Sequence, residues 1–283
     1  MPARTAPTER QKRLGSELRK MRMSAGMTAE FAAGLLGVDR GKISHIELGV
    51  RAISADRLRT LACNCECTDE RYVEALTEMV QPRTRGWWER YRGTLPQGLL
   101  DIAELEAYAV RMRAAYSMHV PGLLQTSDHA LAVFRVVIPK LPEREVALRL
   151  AHRVERQQVL EGDNPTRFVA IVHEAALRMQ FGGRDVARAQ LEHLLKKSEQ
   201  GNVTLLVIPF EAGAFPGAGQ TVLYAEGPVS QLDTAQIDTS HGPEFLHADM
   251  QLTKYRAHLD WMENIALAPE ASRDFIRTIA RQL

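Results

Sequence analysis

The stretch GMTAEFAAGLLGVDRGKISHIELGVRAIS, residues 26–54, constrains this chain more than any other, because helix-capping residues and glycines alternate in it at short intervals. Thr28, Asp39 and Ser54 each stand before an apolar-periodic run, where a side-chain oxygen can accept from the exposed first N–H groups of a helix. Gly26, Gly37 and Gly49 stand where the preceding runs stop. Upstream, Leu14, Leu18, Met21 and Ala25 recur at spacings of four, three and four, which predicts an amphipathic helix over 10–25 with Arg13, Arg19 and Lys20 off the apolar stripe. The two-turn segment AEFAAGLL offers Ala32 and Ala33 for close helix packing. The run RGKISHIEL predicts a third helix with Ile43 and Ile46 inward and Arg40, Lys42, Ser44 and His45 outward. Two short helices joined by a Gly-containing turn, the second rich in polar side chains, describe a helix-turn-helix. A fourth helix follows Ser54, with Leu58, Leu61 and Ala62 on its apolar side, and a fifth is expected from a cap at Thr68.

Charge is divided unequally along the chain. Residues 1–60 hold 12 Lys or Arg against 6 Asp or Glu, a net +6, whereas the remainder holds 24 against 29, a net −5. A small basic module on a mildly acidic body is what contact with a polyanion at one end requires, the alternative being a solvated basic tail. No apolar run approaches the roughly 18 residues of a membrane helix, and the first 25 residues are charged throughout, so a cytoplasmic, nucleoid-associated protein is expected.

The pattern of residues 26–54 resembles the phage-repressor class of helix-turn-helix, the Cro/repressor or xenobiotic-response-element type. Thr28, Glu30, Ala33, Leu36, Gly37, Val38, Ile43, Ser44, Ile46, Glu47, Gly49, Arg51 and Ser54 carry the match. The resemblance implies that the helix from Asp39 enters the major groove of double-stranded DNA, with Arg40 and His45 as base readers. Lys42, Ser44 and Arg51 are then placed for phosphates, which set register and affinity, and Thr28 belongs to the DNA-contacting set. Gly41 offers no base-reading side chain, and Ala29 stands where the family often has Gln. Glu47 matches a position that usually pairs with an arginine of the first helix, here Arg22. Bland readings of Arg40 as a surface charge and His45 as a solvated histidine stand beside these.

The chain's three cysteines lie within CNCEC, residues 63–67, at the junction of the fourth and fifth helices. Zinc needs four ligands, usually as two separated pairs, and on a continuous helix Cys65 would point about 200° from Cys63. Small apolar filler is the expected role of Cys63, Cys65 and Cys67, with a redox switch as the narrow alternative.

Residues 81–92 read as a linker and domain junction between a 1–80 DNA-binding domain and a 93–283 body. In that body WWERY brings aromatics, a helix starts near Leu99, and VPGLLQTSDHALAVF gives a turn and a helix. A charged helix is expected over 142–161, strands at FVAIVH, NVTLLVIPF and QTVLYAE, a helix at GGRDVARAQLEHLLKKSEQG, and two helices at the end. The fold class expected is an N-terminal all-α five-helix repressor-like domain followed by a larger α+β domain. The segments W-x-x-Y, VPGLLQT, EAALR, AQLEHLL, NVTLLVIPF and ALAPEASRDFI resemble the C-terminal domain of unknown function of actinobacterial WhiJ-like regulators, while residues 227–244 depart from it. Members commonly sit beside genes for small acidic proteins. The resemblance therefore implies a protein partner, with a small-molecule effector as a further possibility.

Catalysis is not expected. His173-Glu174 begins an H-E-x-x-H zinc signature, but Leu177 fills the second histidine position. The loop EAGAFPGAGQ lacks the Lys-Ser/Thr of a phosphate loop, and the other histidines have no ligand spacing. No cofactor and no metal are expected. The reading is a dimeric, sequence-specific transcriptional regulator. The alternative is an antitoxin-like interaction protein that chiefly captures a small acidic partner.

Overall fold

The computed structural model describes residues 6–80 and 86–283. The chain divides into two compact units, Met1–Arg90 and Tyr91–Leu283. Residues 81–85 of the expected linker lie outside the described residues.

Five helices build the first unit among its described residues: α1 Glu9–Ser24, α2 Ala29–Leu35, α3 Arg40–Glu47, α4 Ala55–Asn64 and α5 Glu70–Val80. Their beginnings are chemically specified. Thr8 and Gln11 form a reciprocal capping box on α1, and Thr28, Asp39 and Ser54 accept from Phe31, Lys42 and Arg57 N–H groups. At α5 the oxygen that accepts is Asp69 Oδ1, from Tyr72 N–H at 3.0 Å, one residue beyond the expected Thr68.

The ends are equally regular. After α1, α2, α3 and α4 the chain makes the same pair of closing hydrogen bonds, for example Val38 N–H to Ala33 O at 2.9 Å and Cys67 N–H to Ala62 O at 3.0 Å. This closure places one residue in the left-handed region. Glycine fills it at Gly26, Gly37 and Gly49, and Glu66 fills it at the fourth, with φ 53°.

Leu18, Ala32, Ala33, Leu36, Ile43, Ile46, Leu58, Leu61 and Leu76 form the core of the bundle, each at most 7% exposed. Burying a leucine or isoleucine this fully contributes about 1.5–3 kcal/mol. One expectation needs correction: Arg13 is not on the solvent side. It is buried, with Nε 3.0 Å from the equally buried Glu17 carboxylate, which also accepts from Tyr72 Oη at 2.6 Å. A buried charge is tolerated when it is paired, and this triad fastens α5 to α1.

A 3-10 turn, Trp87–Tyr91, carries both tryptophans, with Trp88 buried and its ring edge-on to Trp87 at 5.9 Å. The second unit then runs α6 Gln97–Tyr108, β1 Arg111–Tyr116, α7 Ser127–Arg135, α8 Glu143–Arg156, β2 Arg167–His173, α9 Glu174–Arg178, α10 Arg184–Lys197, β3 Val203–Ile208, β4 Val222–Glu226, β5 Thr234–Thr239, β6 Gly242–Leu246, α11 Asp249–Ile265 and α12 Pro269–Gln282.

Its sheet has the order β3-β2-β1-β4-β5-β6. β1, β2 and β3 are parallel, as strands joined through helices can be, while β4 pairs antiparallel with β1, β5 with β4 and β6 with β5. Alternation sorts the side chains to two faces. Met112, Ala114, Phe168, Ala170, Leu205 and Val207 pack with Leu191 and Leu194 of α10 and Ile276 and Ile279 of α12. Ala115, Ile171, Leu206, Tyr224 and Ala235 pack with Leu252, Leu259 and Met262 of α11. The result is an α+β domain with helices on both faces of a mixed sheet. β1, β5 and β6 were not expected as strands, and the last two occupy the segment 227–244 and just beyond, where the family pattern is lost.

Candidate nucleic-acid interface

α3 is held by three kinds of contact. Ile43 and Ile46 are 3% and 7% exposed and fix its inner face. Gly15 of α1 permits the end of α3 to approach so closely that a Cβ there would meet Glu47 O at 2.5 Å and Ile46 O at 2.6 Å. Arg22 of α1 then clasps Glu47 in a two-pronged pair, Nε to Oε1 at 2.5 Å and Nη2 to Oε2 at 3.1 Å, while Nη1 donates to Met27 O at 2.6 Å. Both side chains are 11% exposed, and the Glu47 hydrogen bond and charge push the Arg22 pKa up despite burial. The loop after α1 and the end of α3 are therefore tied through one guanidinium.

The opposite face of α3 is open. At about 100° per residue, Ile43 and Ile46 face inward and the outward meridian falls between Gly41, Ser44, His45 and Leu48, with Arg40 and Lys42 on the two flanks. Arg40, Gly41, Ser44 and His45 are exposed, as are Thr28 and Arg51, and Lys42 is half-exposed. Among the described residues Arg40, Ser44, His45 and Arg51 make no side-chain hydrogen bond or ion pair. Lys42 does: its Nζ lies 3.0 Å from Asp39 Oδ2, and Lys42 pulls the Asp39 pKa down. An exposed pair of this kind is weak, so a phosphate can replace Asp39. Thr28 Oγ1 accepts from Phe31 N–H at 3.1 Å, which leaves the hydroxyl hydrogen for an outside acceptor.

Two features of this face were not anticipated. Leu48 is 58% exposed on the outward meridian, an apolar group placed where a thymine methyl can be met. Gly41 has an ordinary φ, and a Cβ there would touch only Asp39 Oδ1, at 3.3 Å, so folding does not require glycine at that point.

Residues 13–75 match the family described as a helix-turn-helix domain, and residues 99–278, more than half of the chain, match the family described as a domain of unknown function, DUF5753. The chain belongs to the DUF5753 family. No curated protein and no solved structure matches it. A helix-turn-helix domain implies DNA binding, and among the described residues no helix is long and apolar enough to cross a membrane.

Within the DUF5753 domain the His173-Glu174 pair is occupied structurally. Glu174 Oε2 accepts from Phe210 N–H at 2.9 Å and Oε1 from Arg178 Nε at 2.6 Å, while His173 Nδ1 accepts from Ala175 N–H at 3.2 Å and caps α9. The cysteines in the helix-turn-helix domain correct another expectation. None is core filler: Cys63 is exposed and Cys65 and Cys67 are half-buried, all three as free thiols. Burial and the neighbouring Cys67 raise the Cys65 pKa, the direction opposite to thiolate activation.

Proposed function

We propose that this DUF5753 protein is a sequence-specific transcriptional regulator that binds as a homodimer to a two-fold symmetric operator. One observation carries the reading: polar side chains without intramolecular partners stand on the outer face of a helix immobilised from behind by Gly15, Arg22 and two isoleucines. Arg40 and His45 read base edges, Leu48 adds apolar contact, and Thr28, Lys42, Ser44 and Arg51 contact phosphates. A single such helix reads few base pairs, so pairing of half-sites about one helical turn apart supplies selectivity. The DUF5753 domain regulates, through a small-molecule or small-protein effector, and performs no catalysis in the cytoplasm where the protein acts.

Electrophoretic shift of duplexes from upstream of the protein's own gene tests this. Lys42→Ala is expected to weaken all duplexes alike and reduce the salt slope by about 1. His45→Ala and Arg40→Ala are expected to lose about 1–3 kcal/mol on the preferred duplex and little on others. Undiminished selectivity in both base-reader variants contradicts the assignment.

A further inference from the structure

Arg153 on α8 is half-buried, yet among the described residues no carboxylate oxygen lies within 4.0 Å of its guanidinium. Its Nη1 donates instead to neutral Gln125 Oε1 at 2.7 Å, and its Cζ lies 5.0 Å from the centre of the Phe134 ring. The space beside it is tight, since a Cβ on Gly122 would come within 2.9 Å of Nη1. Arg156, one turn on, is fully provided for: Nε and Nη2 donate to the two oxygens of Glu106 at 2.8 and 2.6 Å, and both partners are buried. The local carboxylate is thus taken by one arginine, and the other faces a like charge. Burial, then Arg156, lowers the Arg153 pKa to about 10.

A second incomplete group lies on α7, the helix that also carries Phe134. His129 is 1% exposed, and among the described residues neither of its ring nitrogens has a hydrogen-bond partner. It packs edge-on to Phe181 at 5.4 Å, and His119 packs on the same ring at 5.3 Å. Both histidines, and the half-buried Tyr116 at the end of β1, interact electrostatically with Arg153. The Tyr116 hydroxyl has no hydrogen-bond partner among the described residues. A cation without a counter-ion and a buried imidazole without a partner each cost free energy until something polar completes them.

We propose that Arg153, held against Gln125 and Phe134, anchors the binding site of a small anionic effector, whose carboxylate or phosphate takes the N–H groups of Arg153 that Gln125 does not use. The regulatory meaning of this site rests on the function proposed above, whereas the binding itself does not.

The test uses the full chain without DNA. Thermal unfolding is followed in inorganic phosphate and, separately, in malonate, each against chloride of equal ionic strength. At saturating anion a rise of about 2–4 °C is expected for the wild type with at least one of the two. Arg153→Met is expected to abolish it, Arg153→Lys to retain a smaller one, and Arg149→Met, on the same helix, to leave it intact. No shift with either anion, or an equal shift in Arg153→Met and Arg153→Lys, overturns the proposal. If Arg153→Met does not fold, an undiminished shift in Arg153→Lys is contrary evidence enough, because a point charge cannot reproduce the paired geometry. Anion binding with no DNA binding would sink the regulator reading alone.

Discussion

Glu66 occupies a place in the chain where three equivalent helix ends use glycine. Its φ of 53° is the left-handed conformation that a side chain enters at a cost of about 1–2 kcal/mol. The Glu66→Gly variant is therefore expected to be more stable by about 0.5–1 kcal/mol, since glycine gives back part of the relief as extra freedom in the unfolded chain. Urea unfolding checks this, and a loss of stability would show that the Glu66 side chain makes a contact worth more than its backbone costs. The same residue also reframes the cysteines around it. They surround a helix terminus of ordinary hydrogen-bond geometry, Cys63 exposed and Cys65 and Cys67 half-buried, so none is enclosed in the core.

At the level of elements, α3 works because α1 is its backboard. In Gly15→Ala a methyl would lie 2.5–2.7 Å from the last carbonyl groups of α3, so the two helices must separate. A loss of about 1–3 kcal/mol is expected. DNA affinity should fall with it although no DNA-facing residue has changed. Unaltered affinity alongside unaltered stability would mean that α1 does not position α3. Much of this domain could be read beforehand, because caps and glycines are local signals that burial does not obscure. The clasp between Arg22 and Glu47 was foreseen only through the family resemblance. Leu48 was overlooked because an exposed leucine at a helix end looks like packing. The sheet was harder. β1 reads Arg-Met-Arg-Ala-Ala-Tyr, good helix formers, and becomes a strand because it is sandwiched between β2 and β4, with Arg113 reaching Asp260 and Glu263 at 2.7 Å. β5 buries Thr234 and Gln236, so its hydrophobic alternation is disguised. Both are strands by tertiary context and not by propensity. The Arg153 site had no sequence signal either, since Gln125, Phe134 and Arg153 come together only in the fold.

For the whole molecule, acid is the revealing perturbation. Burial, with His119 and Arg153 adding to it, lowers the His129 pKa from 6.5 to about 4, and burial with Arg156 and Arg153 lowers that of His152 from 6.5 to about 3. Below pH 6.5 the unfolded chain takes up protons that the folded chain refuses, so stability is intact above that pH and declines as the pH falls toward 4. Each histidine accounts for at most on the order of 3 kcal/mol of that decline. Glu174, whose pKa is lowered by Phe210 N–H and Arg178 against the opposing effect of burial, adds to it in the same direction. Melting temperature measured from pH 8 to 4 should hold level and then drop, with a shallower drop in His129→Leu; a flat profile would mean these imidazoles are not desolvated. The division of charge, net +6 over residues 1–60 against −5 beyond, fits a molecule that grips a polyanion at one end and keeps its body free for regulation. That central claim is tested most directly by selection of duplexes from a random library with the full-length protein. The account predicts enrichment of a two-fold symmetric sequence with half-sites about 10 base pairs apart, altered or lost in Arg40→Ala and His45→Ala. No enriched sequence, or the same one from all three proteins, would contradict it.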